Sequence, residues 1–429
     1  MSGSTPAPRE HGSREHGSRA SGSREPGARG AAPPVGTVLL ESGRPDRDGG
    51  RSLRFENPIA TETLAPGGDP LELFARLQAH LDAGRWIAGA LAFEAGYPLL
   101  GLPLPVGTVG ALAWFGVYDA PAEMPPDAPS DVPSDPSAAT GPGPASVDDA
   151  TLRSGTNAFR FATSPRRWRG QVDGVHDRIR AGETYQVNLT GRMRFRAGLG
   201  GWAAYRAWSR AHPVPFAAYL RPGDDHEIVS LSPELFVRSD GQAVWTRPMK
   251  GTAPRGSGPS QDDALAAALR ADPKALAENV MIVDLLRNDL GRVATYGSVV
   301  ADPLFEVERY PTVLQMTSTV RGELRPELRG RALPSVLEAM FPCGSVTGAP
   351  KRATMEAIAE IEDEPRGTYT GAIGYAAPDG AFVFSVAIRT AEIRSGRGVL
   401  GLGSGIVIDS VADEEYREAL LKGAFARSA

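Results

Sequence analysis

Hydrophobic positions change period several times along the chain, and each change predicts an element. In residues 35–120 the runs VGTVLLES and ALAWFGVY read as strands, and PLELFARLQAHLDAG carries apolar residues at helical spacing. Ser164-Pro165 predicts a helix start, a hydroxyl cap followed by proline at the first helical position. Trp168, Val172, Val175 and Ile179 then recur at helical spacing, and Gly182 can stop the helix. TYQVNLTGRMRF alternates as a strand, with Tyr185, Val187 and Leu189 on one face and Gln186, Asn188 and Thr190 on the other. AIGYAAPDGAFVFSVAIRTAEI predicts a hairpin that turns at Pro378-Asp379-Gly380. Helices and long strands intermix without a regular βαβ repeat, so the pattern argues for an α+β fold with large antiparallel or mixed sheets flanked by helices.

Two stretches interrupt the pattern. Residues 1–34, with the Gly-Ser-Arg-Glu repeat of REHGSREHGSRASGSREPG, have no apolar run to offset ordering entropy and predict a disordered tail. The tail also lacks the apolar core of a signal peptide. Residues 121–158 are rich in Pro, Ser and Asp and predict a linker. The expected organisation is therefore tail, a short N-terminal region 35–120, linker, and a continuous globular block 159–429. No stretch of about 20 apolar residues occurs, so no membrane span is expected and a cytoplasmic location is the default.

Composition narrows the function classes. The 429 residues carry a net charge of −5, which argues against a nucleic-acid or membrane-surface binder. A single cysteine, Cys343, excludes an intrachain disulfide. Of 46 basic residues only Lys250, Lys274, Lys351 and Lys422 are lysine. Arginine can replace lysine as surface charge but stays protonated and cannot serve as an amine nucleophile, so each lysine is a candidate.

No Cys/His metal box is present, and neither GLGSGIVIDS nor GSVTGAPKRAT completes a nucleotide-binding motif. The polar residues of otherwise apolar segments are more informative. AENVMIVDLLRNDLGRV carries Glu278, Asp284, Arg287, Asn288 and Asp289. DEEYREALLKG begins a terminal helix, with Ser410-x-x-Asp413 as a capping box and Glu415 and Glu418 on one face. Carboxylates from two helices suit Mg²⁺ with positions left open for substrate oxygens. A solvated face and an Asp284–Arg287 ion pair explain the same residues without a metal. Lys250 in TRPMKGTAPR is either a solvated loop lysine or a nucleophile whose proton is lost through burial or a nearby cation such as Arg247.

Taken together, YQVNL, SLSPELFVR, TRPMKGTAPR, AENVMIVDLLRNDLGRV, FPCGSVTGAPKRATMEAI, TYTGAIGY and GLGSGIVIDS…EEYREALLKG resemble the chorismate-utilising enzymes over about 159–429. Residues 35–120 resemble a shortened N-terminal half of that fold, with Ser42 in VLLES, and Pro213, Pro215 and Phe216, matching the family's tryptophan site. The resemblance implies a Mg²⁺-dependent reaction on chorismate, with Glu278, Glu415 and Glu418 around the metal. It implies substrate contacts from Thr347, Tyr369, Arg389, Gly403, Ser404, Gly405 and Lys422, although Lys274 and Lys422 also fit ordinary helix-end charges. For Lys351 a structural and a site role both stay open.

Within the family, members that add water resemble a pattern with lysine where this chain has Gln186, so Gln186 implies ammonia as the incoming group. PMKGT resembles the PIKGT of aminodeoxychorismate synthases rather than the PIAGT of anthranilate synthases. That implies Lys250 as covalent nucleophile and Glu234, in SPE, as the acid; the alternative for Glu234 is a buried salt bridge to Arg238 or Arg247. Ammonia would come from a partner glutamine amidotransferase, since no glutaminase segment is expected in these residues. Anthranilate synthase component I, and a non-catalytic chorismate-binding subunit, are the alternatives. Gln315, where many members carry histidine, and GLGSG in place of GAGGG are departures from the family pattern.

Overall fold

The alternation along 185–196 builds the longest strand of the structure. Gln186–Arg196 runs antiparallel to Arg397–Ile406 from Arg196↔Arg397 to Val187↔Ile406. The computed structural model describes residues 1–3, 32–43, 51–124, 159–310 and 313–427. The expected tail and linker lie almost wholly outside these residues.

Two large sheets dominate. In the first, Gly348–Ala349, Gln186–Arg196, Arg397–Ile406, Thr390–Arg394, His226–Ser232, Phe216–Gly223, Val38–Glu41, Leu53–Phe55 and Ala122–Glu123 follow one another side by side. In the second the order is Val300–Ala301, Val320–Glu323, Ala243–Arg247, Leu235–Asp240, Ala381–Val386, Ala372–Ala376, Trp86–Leu91, Ala113–Tyr118 and Ala60–Leu64. A small third sheet joins Met249–Pro254, Val313–Thr317 and Glu306–Arg309. Strands from before and after the expected linker share both large sheets: Val38 pairs with Leu220, and Ile87 with Ala376. The described residues from Pro33 onward accordingly form one compact unit.

The sheets pack face to face through Val38, Phe55, Leu220 and Ile228 of one against Ala88, Tyr118, Ile373 and Tyr375 of the other. The outer face of the second sheet buries Phe115, Phe384 and Leu91 under the helices Pro70–Asp82, Pro273–Gly291 and Leu333–Met340. Val187, Leu189 and Ile406 of the first sheet meet Trp168, Val172, Met355 and Ala419 from the helices Pro165–Arg180, Lys351–Ile361 and Ala412–Lys422. Period-2 strands and period-3.6 helices each present one apolar face, and these layers are how both faces become covered.

Ser164 caps the helix Pro165–Arg180 as expected, its hydroxyl accepting from the Arg167 amide at 3.2 Å. Three local expectations are corrected. Tyr185 stands just outside the strand and is 68% exposed, whereas Val187 and Leu189 are fully buried. The hairpin holds only to Val386; Thr390–Arg394 crosses to the first sheet, where it pairs with His226–Ser232. Ser410 does not cap the terminal helix: its hydroxyl donates to Glu415 at 2.7 Å, and Asp413 instead pairs with Arg169 at 2.7 Å. The Ser410 hydroxyl donates to the buried carboxylate, and its oxygen accepts from the Val407 amide at 3.1 Å instead of from the helix-end amides.

Candidate active site

The chain changes sheets repeatedly, and at three of these crossovers a candidate residue sits. Glu234 lies between His226–Ser232 in the first sheet and Leu235–Asp240 in the second. Arg389 lies on the return path, between Ala381–Val386 and Thr390–Arg394. Lys250 follows Pro248, where the chain leaves the second sheet for the third. The first two crossovers are bonded together, the Val386 amide donating to the Glu234 carbonyl at 3.1 Å and the Leu231 amide to the Arg389 carbonyl at 3.1 Å. Strands that switch sheets free their ends from ladder pairing, so the side chains there can serve a site.

Lys250 is drawn from its usual range downward by burial, with Glu278 and Glu234 opposing and Lys422 reinforcing the shift. Lys422 is thus the neighbouring cation, not Arg247, which reaches Glu308 at 3.7 Å. The Lys250 amine donates to the Ser345 carbonyl at 3.3 Å. Glu234 is 4% exposed, and burial raises its carboxyl to about 7, opposed by the nearby Ser345 side chain and by the Lys250 charge. The salt bridge from Glu234 to Arg238 or Arg247, the alternative to its acid role, is not formed; Arg238 stacks over Trp245 instead, 5.2 Å from its ring. Among the described residues Oε1 of Glu234 and Oε1 of Gln186 are buried acceptors with no hydrogen-bond donor. Buried acceptors are rarely left so. A Cβ on Gly405 would stand 2.7 Å from Gln186 Nε2 and 3.8 Å from Lys250 Nζ, so glycine there lets these side chains close on one point.

The carboxylates expected around a metal face this corner from two helices. Burial raises the Glu278 carboxyl, with Glu418 and Glu415 adding to the rise and Lys250 and Lys274 opposing it. Glu415 accepts from Ser404 and Ser410 through its two oxygens. Glu418 is paired with Lys422 at 2.8 Å, and Lys422 also donates to the Gly403 carbonyl at 3.0 Å. Among the described residues no three His, Cys, Asp or Glu side chains stand close enough to cage a cation. The full three-glutamate cage is therefore not assembled, because Glu415 and Glu418 are turned to protein partners. The donor chemistry still fits Mg²⁺, which takes one or two carboxylates and keeps waters or substrate oxygens as its other ligands.

Tyr369 packs its ring over Gly401, where a Cβ would come within 2.0 Å of the ring. Burial pushes its hydroxyl up to about 12. Thr347 is fully buried, its hydroxyl spent on the Cys343 and Gly344 carbonyls at 3.1 and 3.2 Å. Arg389 takes a left-handed backbone, φ 50°, and opens into an adjoining pocket of about 430 Å³ beside Pro233 and Met249, the residues just before Glu234 and Lys250. Pro213 lines that same pocket, away from the other residues of the expected tryptophan site. Ser42, Pro215 and Phe216 line a separate pocket of about 400 Å³ with Glu41, Arg51 and Tyr375. Lys351 is structural: it pairs with Asp289 at 2.7 Å and donates to the Met340 carbonyl at 2.8 Å.

Compared with known protein families, residues 38–428 match the one described as chorismate binding enzyme. The chain belongs to this family. An aminodeoxychorismate synthase of Streptomyces griseus is 46% identical over 254 residues, 59% of this chain and 35% of that protein. An anthranilate synthase component 1 of Haloarcula marismortui is 41% identical over 281 residues, 65% of this chain and 55% of that protein. The matched stretches thus span between a third and just over half of these relatives. The crystal structure of anthranilate synthase component I from Streptococcus pneumoniae TIGR4 superposes with a TM-score of 0.71 at 27% identity, covering 92% of this chain and 93% of that one.

For a chorismate binding enzyme, this chain's departures have visible structural uses. Gln315 bridges the strand that carries Lys250, donating to the Gly251 carbonyl at 2.9 Å and accepting from Thr252 at 2.9 Å. Ser404 holds Glu415. Sequence reasoning missed a layer beneath the pocket. Arg366, 5% exposed, spends every guanidinium N–H on Glu362 (2.6 and 3.1 Å), the carbonyls of Val346 (2.8 Å) and Asn188 (2.6 Å), and Thr370 (3.3 Å). It so ties together the segments that hold Thr347, Gln186 and Tyr369. The only signal in the sequence was a charged residue within the turn-rich DEPRGTYTG, which no periodicity marks.

Proposed function

We propose that the chain converts chorismate and ammonia to 4-amino-4-deoxychorismate, with Lys250 as covalent nucleophile. The observation that carries this reading is a half-buried lysine of lowered basicity near a buried glutamic acid raised to about 7. The likeness to aminodeoxychorismate synthases supports it. The unprotonated Lys250 amine attacks C2 of chorismate. The ring double bonds shift, and the C4 hydroxyl leaves as water with the proton of Glu234. Ammonia then attacks C4, and the bond from C2 to Lys250 breaks, returning a neutral amine. The ammonium proton formed at C4 passes to the Glu234 carboxylate, which restores the acid.

Gln186 can accept from or donate to the incoming ammonia but cannot deprotonate water, which favours amination over hydration. Glu278, Glu418 and Glu415 are the residues that would hold Mg²⁺, and the metal when bound would offset the charge of a substrate carboxylate. A glutamine amidotransferase partner would supply the ammonia. Among the described residues no helix is long and apolar enough to cross a membrane, and we place the reaction in the cytoplasm.

The test is incubation with chorismate, Mg²⁺ and ammonium, followed by aminodeoxychorismate lyase. The expected product is 4-aminobenzoate, and intact-mass spectrometry without ammonia is expected to show an adduct lost in Lys250→Ala. Anthranilate as main product, or unchanged turnover in Lys250→Ala, overturns the reading.

A further inference from the structure

A buried turn of the N-terminal region grips the block 159–429. Phe93–Ala95 follows the strand Trp86–Leu91, and Glu94 within it is 2% exposed. One Glu94 carboxyl oxygen accepts from the Arg366 amide at 2.6 Å and the other from the Gly367 amide at 3.0 Å. In return the Phe93 amide donates to the Gly367 carbonyl at 2.8 Å. The Arg366 guanidinium lies 4.2 Å from the centre of the Phe93 ring. The next amide, that of Thr368, donates to Glu392 at 2.7 Å. Three successive amides are thus held by carboxyl oxygens. Only a carboxyl group offers two acceptor oxygens to neighbouring amides; a side-chain amide offers one.

The turn held in this way needs support. Gly367 has φ 66° and Thr370 φ 63°. A β-branched residue enters the left-handed region only where its surroundings impose it. Between these two stands Tyr369, 8% exposed, with its ring over Gly401. Among the described residues its hydroxyl makes no hydrogen bond. Buried tyrosines usually find a partner for that group, so here it is left for a ligand.

We infer that Glu94 is a positioning residue for the substrate pocket: by gripping the Arg366 and Gly367 amides it sets the turn that aims Tyr369 at the substrate. Glu94 touches no reacting atom. The same grip fixes the backbone of Arg366, whose guanidinium bonds the Val346 and Asn188 carbonyls, next to Thr347 and close to Gln186. The N-terminal region therefore serves the site through its own side chain, apart from any ligand of the pocket it lines. The role at Tyr369 rests on chorismate as the substrate proposed above; the grip itself does not.

The test compares wild type, Glu94→Gln, Tyr369→Phe and the double variant as full chains with Mg²⁺. Gln keeps the shape but turns one acceptor into an NH₂ group facing an amide N–H. By calorimetry, Glu94→Gln is expected to weaken chorismate binding about tenfold in wild type and less than about twofold in Tyr369→Phe, because both changes act on one contact. With ammonium, Glu94→Gln is expected to raise KM for chorismate and leave kcat little changed. Hydrogen exchange is expected to quicken in the peptide holding residues 366–370 and not in the strands of the large sheets. Glu94→Asp, which retracts the carboxyl group by one methylene, carries the same comparison if Glu94→Gln does not fold. Unchanged chorismate affinity in the Glu94 variant, or losses that simply add in the double variant, overturn the inference. A wild type that binds chorismate but makes anthranilate or nothing overturns the proposed reaction, and the binding comparison still decides on Glu94. A wild type that does not bind chorismate overturns the substrate reading, and hydrogen exchange then decides whether Glu94 holds the turn.

Discussion

The Ser404 hydroxyl donates to one carboxylate oxygen of Glu415, and the Ser410 hydroxyl donates to the other at 2.7 Å. Glu415 is thereby fixed from both sides. Groups that orient a ligating carboxylate typically change metal affinity about 10- to 100-fold when removed. Ser404→Ala is expected to weaken Mg²⁺ binding about tenfold, read by calorimetry without substrate. Unchanged affinity would show that Glu415 is not a ligand and that Glu278 and Glu418 suffice.

Glu234 makes stability depend on pH in the direction opposite to a salt-bridged carboxylate. Its folded value of about 7 lies above the ordinary 4.5, so between those values the unfolded chain releases a proton that the folded chain keeps. Stability therefore falls as pH rises through that window, by about 3 kcal/mol in total, and stays level above it. Glu234→Gln is expected to remove this component, so that denaturant unfolding shows the variant gaining on wild type between pH 5 and pH 8. The same variant is expected to lose turnover about 100-fold or more, because the leaving hydroxyl has no proton donor.

Arg366 answers every one of its donors with a protein acceptor, and Glu362 reaches both Arg366 at 2.6 Å and Arg192 at 3.6 Å in a setting only 4% exposed. Removing one partner of such a cluster strands a buried charge. Arg366→Met is expected to cost about 3–5 kcal/mol in urea unfolding. Lys351→Met, which strands Asp289, is expected to behave similarly in unfolding. A loss below 1 kcal/mol for either would mean that water replaces the missing cation.

Ser42, Arg51 and Phe216 line one pocket, where the family resemblance implies a site for an aromatic amino acid. L-tryptophan is expected to raise the melting temperature of wild type and to leave Phe216→Ala unshifted. No shift in wild type would show that this pocket does not take the ligand its family resemblance implies.

Local pattern carried much of this protein. The cap and proline at Ser164-Pro165, the alternation of Val187 and Leu189, and the turn at Pro378-Asp379-Gly380 are short-range consequences of dihedral preference and side-chain period, and the sequence determined them alone. Motif order determined the family, which the match over residues 38–428 shows. What the local pattern could not decide was where a strand leaves its sheet. TAEI has the same alternation whether it continues a hairpin or crosses to another sheet. Only the packing of the two sheets, through residues such as Phe55 and Tyr375, selects the crossover. The environments of Lys250 and Glu234 follow from that choice, because burial and neighbouring charge are properties of chains brought together, not of any one segment. Tertiary structure likewise gave Glu415 to Ser404 and Ser410 and gave Val346 to Arg366, pairings that join segments far apart in the chain or compete with equally good local partners.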